Sequence, residues 1–123
     1  MTVVKYQDLP LAGGGHRWNA EAAEKHVRRW ARAEDGPNER YRQAFLWFDR
    51  SRQENFTAYK LPIADVIDGR LMAVPRAIEA ATRVVQGARG GVDIPARDLA
   101  GVKREIARYY EKMGEEAPWQ RAA

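Results

Sequence analysis

The chain contains no cysteine, which excludes disulfide scaffolds, thiolate metal sites and thiol nucleophiles at once. Serine is almost as scarce. Ser51 is the only one, and it stands in a polar stretch from Ser51 to Asn55 that reads as a loop. A nucleophilic serine needs a base beside it, whereas the two histidines, His16 and His26, fall on different segments with no evident partner. His26 has no second ligand at i+3 or i+4, so no metal is expected there. No catalytic residue, metal or cofactor is expected.

Long apolar runs are also missing. Nothing approaches the ~20 residues needed to span a bilayer. The start, MTVVKYQDLP, lacks the cationic beginning and long apolar middle of a signal peptide. No membrane partner is expected, and the cytoplasm is the default location. Charge of one sign is not in large excess either, since 21 Lys and Arg face 17 Asp and Glu for a formal charge of +4. Neither half of the chain behaves as a dedicated basic arm, so an anionic partner is permitted without being required.

What is present fits one ordinary domain. The 123 residues suffice to bury roughly two thirds of the unfolded surface. A hydrophobic share of 45% against 31% charged argues against both disorder and a fibrous repeat. Residues 1 to 18 are polar and turn-rich and contain Gly13, Gly14 and Gly15. They read as an extended N-terminal arm lying on the domain, pinned by Trp18 and Tyr6, or else as a frayed tail.

Residues 19 to 123 read as a single compact α+β domain. Asn19 caps a helix over 20–33 that buries Val27 and Trp30 and turns Lys25, Arg28, Arg29 and Arg32 outward. Between Tyr41 and Asp49 strand and short helix compete, with strand preferred for Ala44 to Phe48. The segments 56–62 and 64–67 lead into the tight-turn pair Asp68-Gly69, after which 70–74 returns as the second arm of a hairpin. Pro75 opens an Ala-rich helix that ends at Gly87 or Gly90.

The last helix carries the clearest stripe: Leu99, Val102, Ile106, Tyr109, Tyr110 and Met113, stopped by Gly114. Arg97, Arg104, Arg108 and Lys112 cluster opposite it, and Gly101 inside it marks either a close contact or a tolerated loss of propensity. The expected fold is therefore α+β and helix-dominated, with three helices packed on a small two- or three-stranded antiparallel sheet.

An ordered set of blocks adds a resemblance: Leu61-Pro62, Asp68-Gly69, Pro75-Arg76-Ala77, Gly87-Ala88-Arg89-Gly90-Gly91-Val92, Ile94-Pro95, and Arg108-Tyr109-Tyr110 with Gly114. Together with Tyr41 to Asp49, and Asp8 to Leu11 before Trp18, they resemble a small phage and prophage module. This is the non-catalytic region attached to phage prohead (head-maturation) serine proteases, also found as standalone proteins. The resemblance implies a phage-derived accessory in head assembly, in the host cytoplasm or associated with the virion, and carries over no protease activity.

Asp65, Asp68 and Asp93 each neighbour a turn or cap and read as structural. The GARGG run lacks the Lys-Ser or Lys-Thr of a P-loop and reads as a helix stop. The basic residues Arg28, Arg29, Arg32, Arg97, Arg104, Arg108 and Lys112 leave three readings open, namely a protein partner, nucleic-acid phosphates, or a solvated surface that nearby Glu residues partly neutralise. Trp119, after Pro118, either folds back as a lid on the core or anchors a partner. The expected function is a non-enzymatic phage structural or head-morphogenesis accessory protein acting through protein contacts, with capsid or other head components, or a second copy, as partner. The alternative is a small nucleic-acid-binding protein using the basic helix faces.

Overall fold

Aromatic density decides the stretch that periodicity left open. Phe45, Leu46, Trp47 and Phe48 are all buried, so the segment is covered on both faces, and it forms strand β2 (Phe45–Phe48). In this computed structural model, which describes residues 2–121, β2 is the centre of a three-stranded antiparallel sheet ordered β1-β2-β3, with β1 at Thr2–Val3 and β3 at Tyr59–Pro62. Around β2 the Tyr41 ring packs against those of Phe45, Phe56 and Tyr59 at centroid distances from 4.9 to 5.4 Å. The Phe48 ring stacks on Tyr59 at 5.5 Å. Each buried ring contributes ~1.5–3 kcal/mol.

The fold is α+β as expected, but its sheet is divided. Strands β4 (Ala64–Ile67) and β5 (Arg70–Ala73) make a separate two-stranded antiparallel sheet. Two residues explain the break. Pro62 has no N–H to extend a ladder, and Leu61 just before it is held at φ 61°, a left-handed kink inside β3. Ile63 bridges the two sheets, its N–H donating to the Ala44 carbonyl while its carbonyl accepts from the Val74 N–H. At the hairpin tip Asp68 (φ 52°) and Gly69 (φ 77°) are both left-handed, the backbone that a two-residue turn of this kind requires.

Among the described residues four helices are present where three were expected. They are α1 (Ala20–Trp30), the single turn α2 (Glu39–Arg42), α3 (Pro75–Val85) and α4 (Ala96–Lys112). The extra one, α2, starts because the Asn38 side chain accepts from the Tyr41 N–H. Helix α1 is shorter than its sequence pattern, since Arg32 takes φ 55° and cannot continue it. Against β4 it buries Ala23 and Val27, while α4 packs on α3, β1 and β2. In α4 the stripe is as read, with Val102, Ile106, Tyr109 and Tyr110 buried.

The N-terminal segment touches both sheets. Beyond β1, the Val4 N–H donates to the Leu46 carbonyl. Farther along, Pro10 and Ala12 bond the backbone of Ala73 in β5. Gly101 of α4 makes room for this arrangement, because a Cβ there would lie 3.0 Å from Val3 Cγ2. Of the two roles open to Gly101, the close contact holds.

Candidate functional site

The basic side of α1 does not stay together. Lys25 and Arg29 project into solvent, but Arg28 is half-buried, with its guanidinium carbon 3.4 Å from the centre of the Phe56 ring. At ~100° per residue Arg28 lies beside Val27 on the flank of the apolar face, and its stem carries the charge to the aromatic cluster. It stands there beside Tyr41 and Glu24. Burial pushes the Tyr41 hydroxyl up to about 12, with Glu24 adding to the shift. Burial likewise raises Glu24, against the pull of Arg28. Arg28 thus belongs to the interior's edge, a correction to its expected outward placement. Arg32 is exposed but lies past the helix end, where its N–H donates to the Arg29 carbonyl and the Ala33 N–H to the Arg28 carbonyl.

On α4 the cations are partly consumed by the N-terminal arm. Lys112 Nζ donates to the Asp8 carboxylate at 2.9 Å and the Leu9 carbonyl at 2.7 Å. Arg108 lies over the Tyr6 ring, 3.9 Å from its centre. Tyr6 in turn donates its hydroxyl to Asp8. The hydrogen bond from Lys112, then that from Tyr6, holds the Asp8 carboxyl below its ordinary range. Arg97 and Arg104 remain exposed. Glu105 sits between Arg104 and Arg108. Burial raises its carboxyl despite both, and its buried Oε2 has no hydrogen-bond partner among the described residues. Trp119 is half-buried against the core, with the Lys103 ammonium 5.4 Å from its ring.

The two histidines, expected to lack a partner, share one. Asp65 accepts from His26 Nδ1 at 2.9 Å and lies 3.5 Å from His16 Nε2, so its carboxylate ties the arm to α1 and β4. Asp65 is inside β4, not in a turn. No signal in the sequence joins positions 16, 26 and 65; only the packing of α1 on β4 does. The trio supplies no nucleophile, since the Ser51 hydroxyl is elsewhere and donates to Asp49 at 2.6 Å. Among the described residues no group of three His, Asp or Glu side chains is placed to hold a metal ion, and no helix is long and apolar enough to cross a membrane.

Compared with protein-family models, curated proteins and solved structures, the chain matches none. The functional reading therefore rests on its own surface. Here the most distinctive feature lies where α1 meets β4: an open hollow of about 290 Å³ lined by His26, Arg29, Trp30 and Val66. A second hollow of about 310 Å³ shares His26 and Arg29 and runs along α1 past Lys25 to Asn19. The Trp30 ring is half-buried and carries the Arg40 guanidinium 4.1 Å from its centre.

A half-buried tryptophan carrying one guanidinium on its ring, with Arg29 and Val66 beside it, is the composition of interface anchor points, in which Trp and Arg are enriched. Of the basic residues expected to contact a partner, Arg29 alone lines this hollow, together with His26, which the sequence offered no role. Trp30 was assigned to the core, and Val66 was unremarkable until the hairpin placed it beside the helix.

Proposed function

We propose that this protein is a non-enzymatic interaction module acting through protein–protein contacts. Following its resemblance to the prohead-protease module, it serves as a phage or prophage head-morphogenesis accessory in the host cytoplasm or on the virion. The observation that carries the reading is the α1–β4 hollow, where Trp30, Val66, His26 and Arg29 offer a half-exposed aromatic anchor ringed by hydrogen-bond donors.

Nucleic-acid binding by the helix faces is less well supported. Phosphate contact needs cations free to move onto the backbone, and Arg28, Arg108 and Lys112 are committed to Phe56, Tyr6 and the Asp8–Leu9 segment.

The test is co-purification of the tagged chain with separately prepared capsid, portal, scaffold and protease proteins, together with light scattering for self-association. Retention of one head protein, lost in Arg29→Glu and Val66→Glu while circular dichroism stays unchanged, is the expected result. A strict monomer that retains no head component would defeat the proposal.

A further inference from the structure

A different part of the molecule points to a small anionic ligand. Between β1, α2 and the end of β2 lies a groove of about 360 Å³ whose charged lining is Lys5, Arg42, Arg50 and the single acid Glu39. Its floor is the buried Phe48 ring, and two guanidiniums converge on it, with the Arg42 carbon 4.2 Å and the Arg50 carbon 5.3 Å from the ring centre. Neighbouring positive groups repel one another, and among the described residues none of these three cations has a carboxylate within ion-pair distance.

The donors are also only partly used. Arg42 gives one terminal nitrogen to Gln53, while its buried Nε has no partner among the described residues. Arg50 gives its Nε to the Thr2 hydroxyl, which fixes the guanidinium in place. Both guanidiniums lie against the same ring and line the same groove, and such planar forks suit an oxyanion with several acceptor atoms. With Glu39 subtracted, the lining has two positive charges in excess, which match a phosphate monoester dianion. The volume exceeds what a bare phosphate fills and leaves room for part of an organic group.

We propose that this groove is a phosphate-binding site for a small phosphomonoester. The site shares no residue with the α1–β4 surface: Lys5 follows β1, Arg42 closes α2 and Arg50 lies in the turn after β2.

Isothermal titration calorimetry on the full chain at physiological salt tests it, with ribose 5-phosphate, inorganic phosphate, acetate and a single-stranded oligonucleotide as probes. Ribose 5-phosphate is expected to bind saturably at one site, with acetate far weaker. Arg50→Gln and Lys5→Gln, both at exposed positions, should each weaken it about tenfold. Arg97→Gln on α4 should leave it unchanged, and circular dichroism should confirm that each variant folds. A preference for the sugar ester supports a metabolite as the source, whereas equal binding of inorganic phosphate supports the site with free phosphate as its occupant. Four results would overturn the proposal: no saturable binding, binding indifferent to Arg50→Gln, acetate matching phosphate, or an oligonucleotide that outcompetes the monoester and is weakened equally by Arg97→Gln.

Discussion

Helices α1 and α4 carry the same kinds of residue on their outer sides, yet those sides meet different fates. On α4 the passing N-terminal arm takes up Arg108 through Tyr6 and Lys112 through Asp8 and Leu9. Beneath them the buried Tyr109 hydroxyl accepts from the Leu9 N–H. On α1, Lys25 and Arg29 stay in solvent, and the hollow beside them stays open. A cationic face is therefore ambiguous until the rest of the chain is placed, because the same charges serve as tethers where a segment crosses them and as free surface where none does.

Breaking the tether at its buried point should have the largest effect. Tyr109→Phe keeps the ring and its packing but leaves the Leu9 N–H without an acceptor in a buried position. An orphaned buried donor costs about 1–3 kcal/mol, to be read as a shift in the urea midpoint at unchanged slope. Val27→Thr on α1 would be a poor counterpart, since it disturbs packing as well. The informative control is Arg29→Ala, expected within about 0.5 kcal/mol of the parent. Equal losses for both variants would erase the distinction between the helices.

The same two helices end in the same way with different residues. In each, the first residue past the cap is left-handed and two backbone bonds close the end, Arg32→Arg29 and Ala33→Arg28 on α1, Gly114→Glu111 and Glu115→Tyr110 on α4. Gly114 suits that backbone and Arg32 does not, because a Cβ in the left-handed region costs roughly 1–2 kcal/mol. Gly114→Ala should thus destabilise by about 1 kcal/mol. Arg32→Gly should stabilise by somewhat less, since glycine also loosens the unfolded chain. Paired thermal melts check the opposite signs.

A smaller effect tests how α4 accepts β1. Gly101→Ala adds up to about 1 kcal/mol of helix propensity, but its Cβ would meet Val3 Cγ2 at 3.0 Å. Alone the substitution should lower stability slightly; combined with Val3→Ala it should raise it by up to about 1 kcal/mol relative to Val3→Ala alone. The change of sign in this double-mutant cycle is the readout.

Local signals carried most of the framework. The α4 stripe, the Asn19 cap, Pro75 at a helix start and the Asp68-Gly69 turn were legible because each is decided by residues within a few positions of one another. What could not be read depends on distant partners. Strand β1 is two residues long, too short for any periodicity, and exists through its pairing with Trp47 and Phe48. The single turn α2 follows Asn38, a residue equally suited to ending the loop before it. The division of the sheet turns on Leu61 adopting a left-handed backbone, which a leucine does not announce.

The candidate surfaces were legible least. Arg29 was marked by its face of the helix, but Trp30 and Val66 became neighbours only through α1 packing on β4. Arg42 and Arg50 are eight positions apart with no common period, and they converge because both lie over Phe48. The meeting of His16 and His26 at Asp65 likewise required the arm, the helix and the hairpin to be in place.

The surface part of the tether gives the smallest effect, and one with a defined pH dependence. The Asp8 carboxyl is held below its ordinary value, first by the hydrogen bond from Lys112 and then by that from Tyr6. A depressed carboxyl favours the folded arm fully at pH values above the unfolded-state pKa of about 4. That contribution is lost as pH falls through the lower folded-state value. Amide-exchange protection at Leu9, whose carbonyl and N–H both lie in the tether, should therefore be flat from neutral pH down to about 5 and fall only in stronger acid. Lys112→Met should lower that protection at neutral pH and reduce its acid dependence, because the first cause of the Asp8 shift is gone while the bond from Tyr6 remains. Protection that falls with acid equally in Lys112→Met and the parent would show that the arm is held by the Tyr109 bond alone, with Asp8 a spectator.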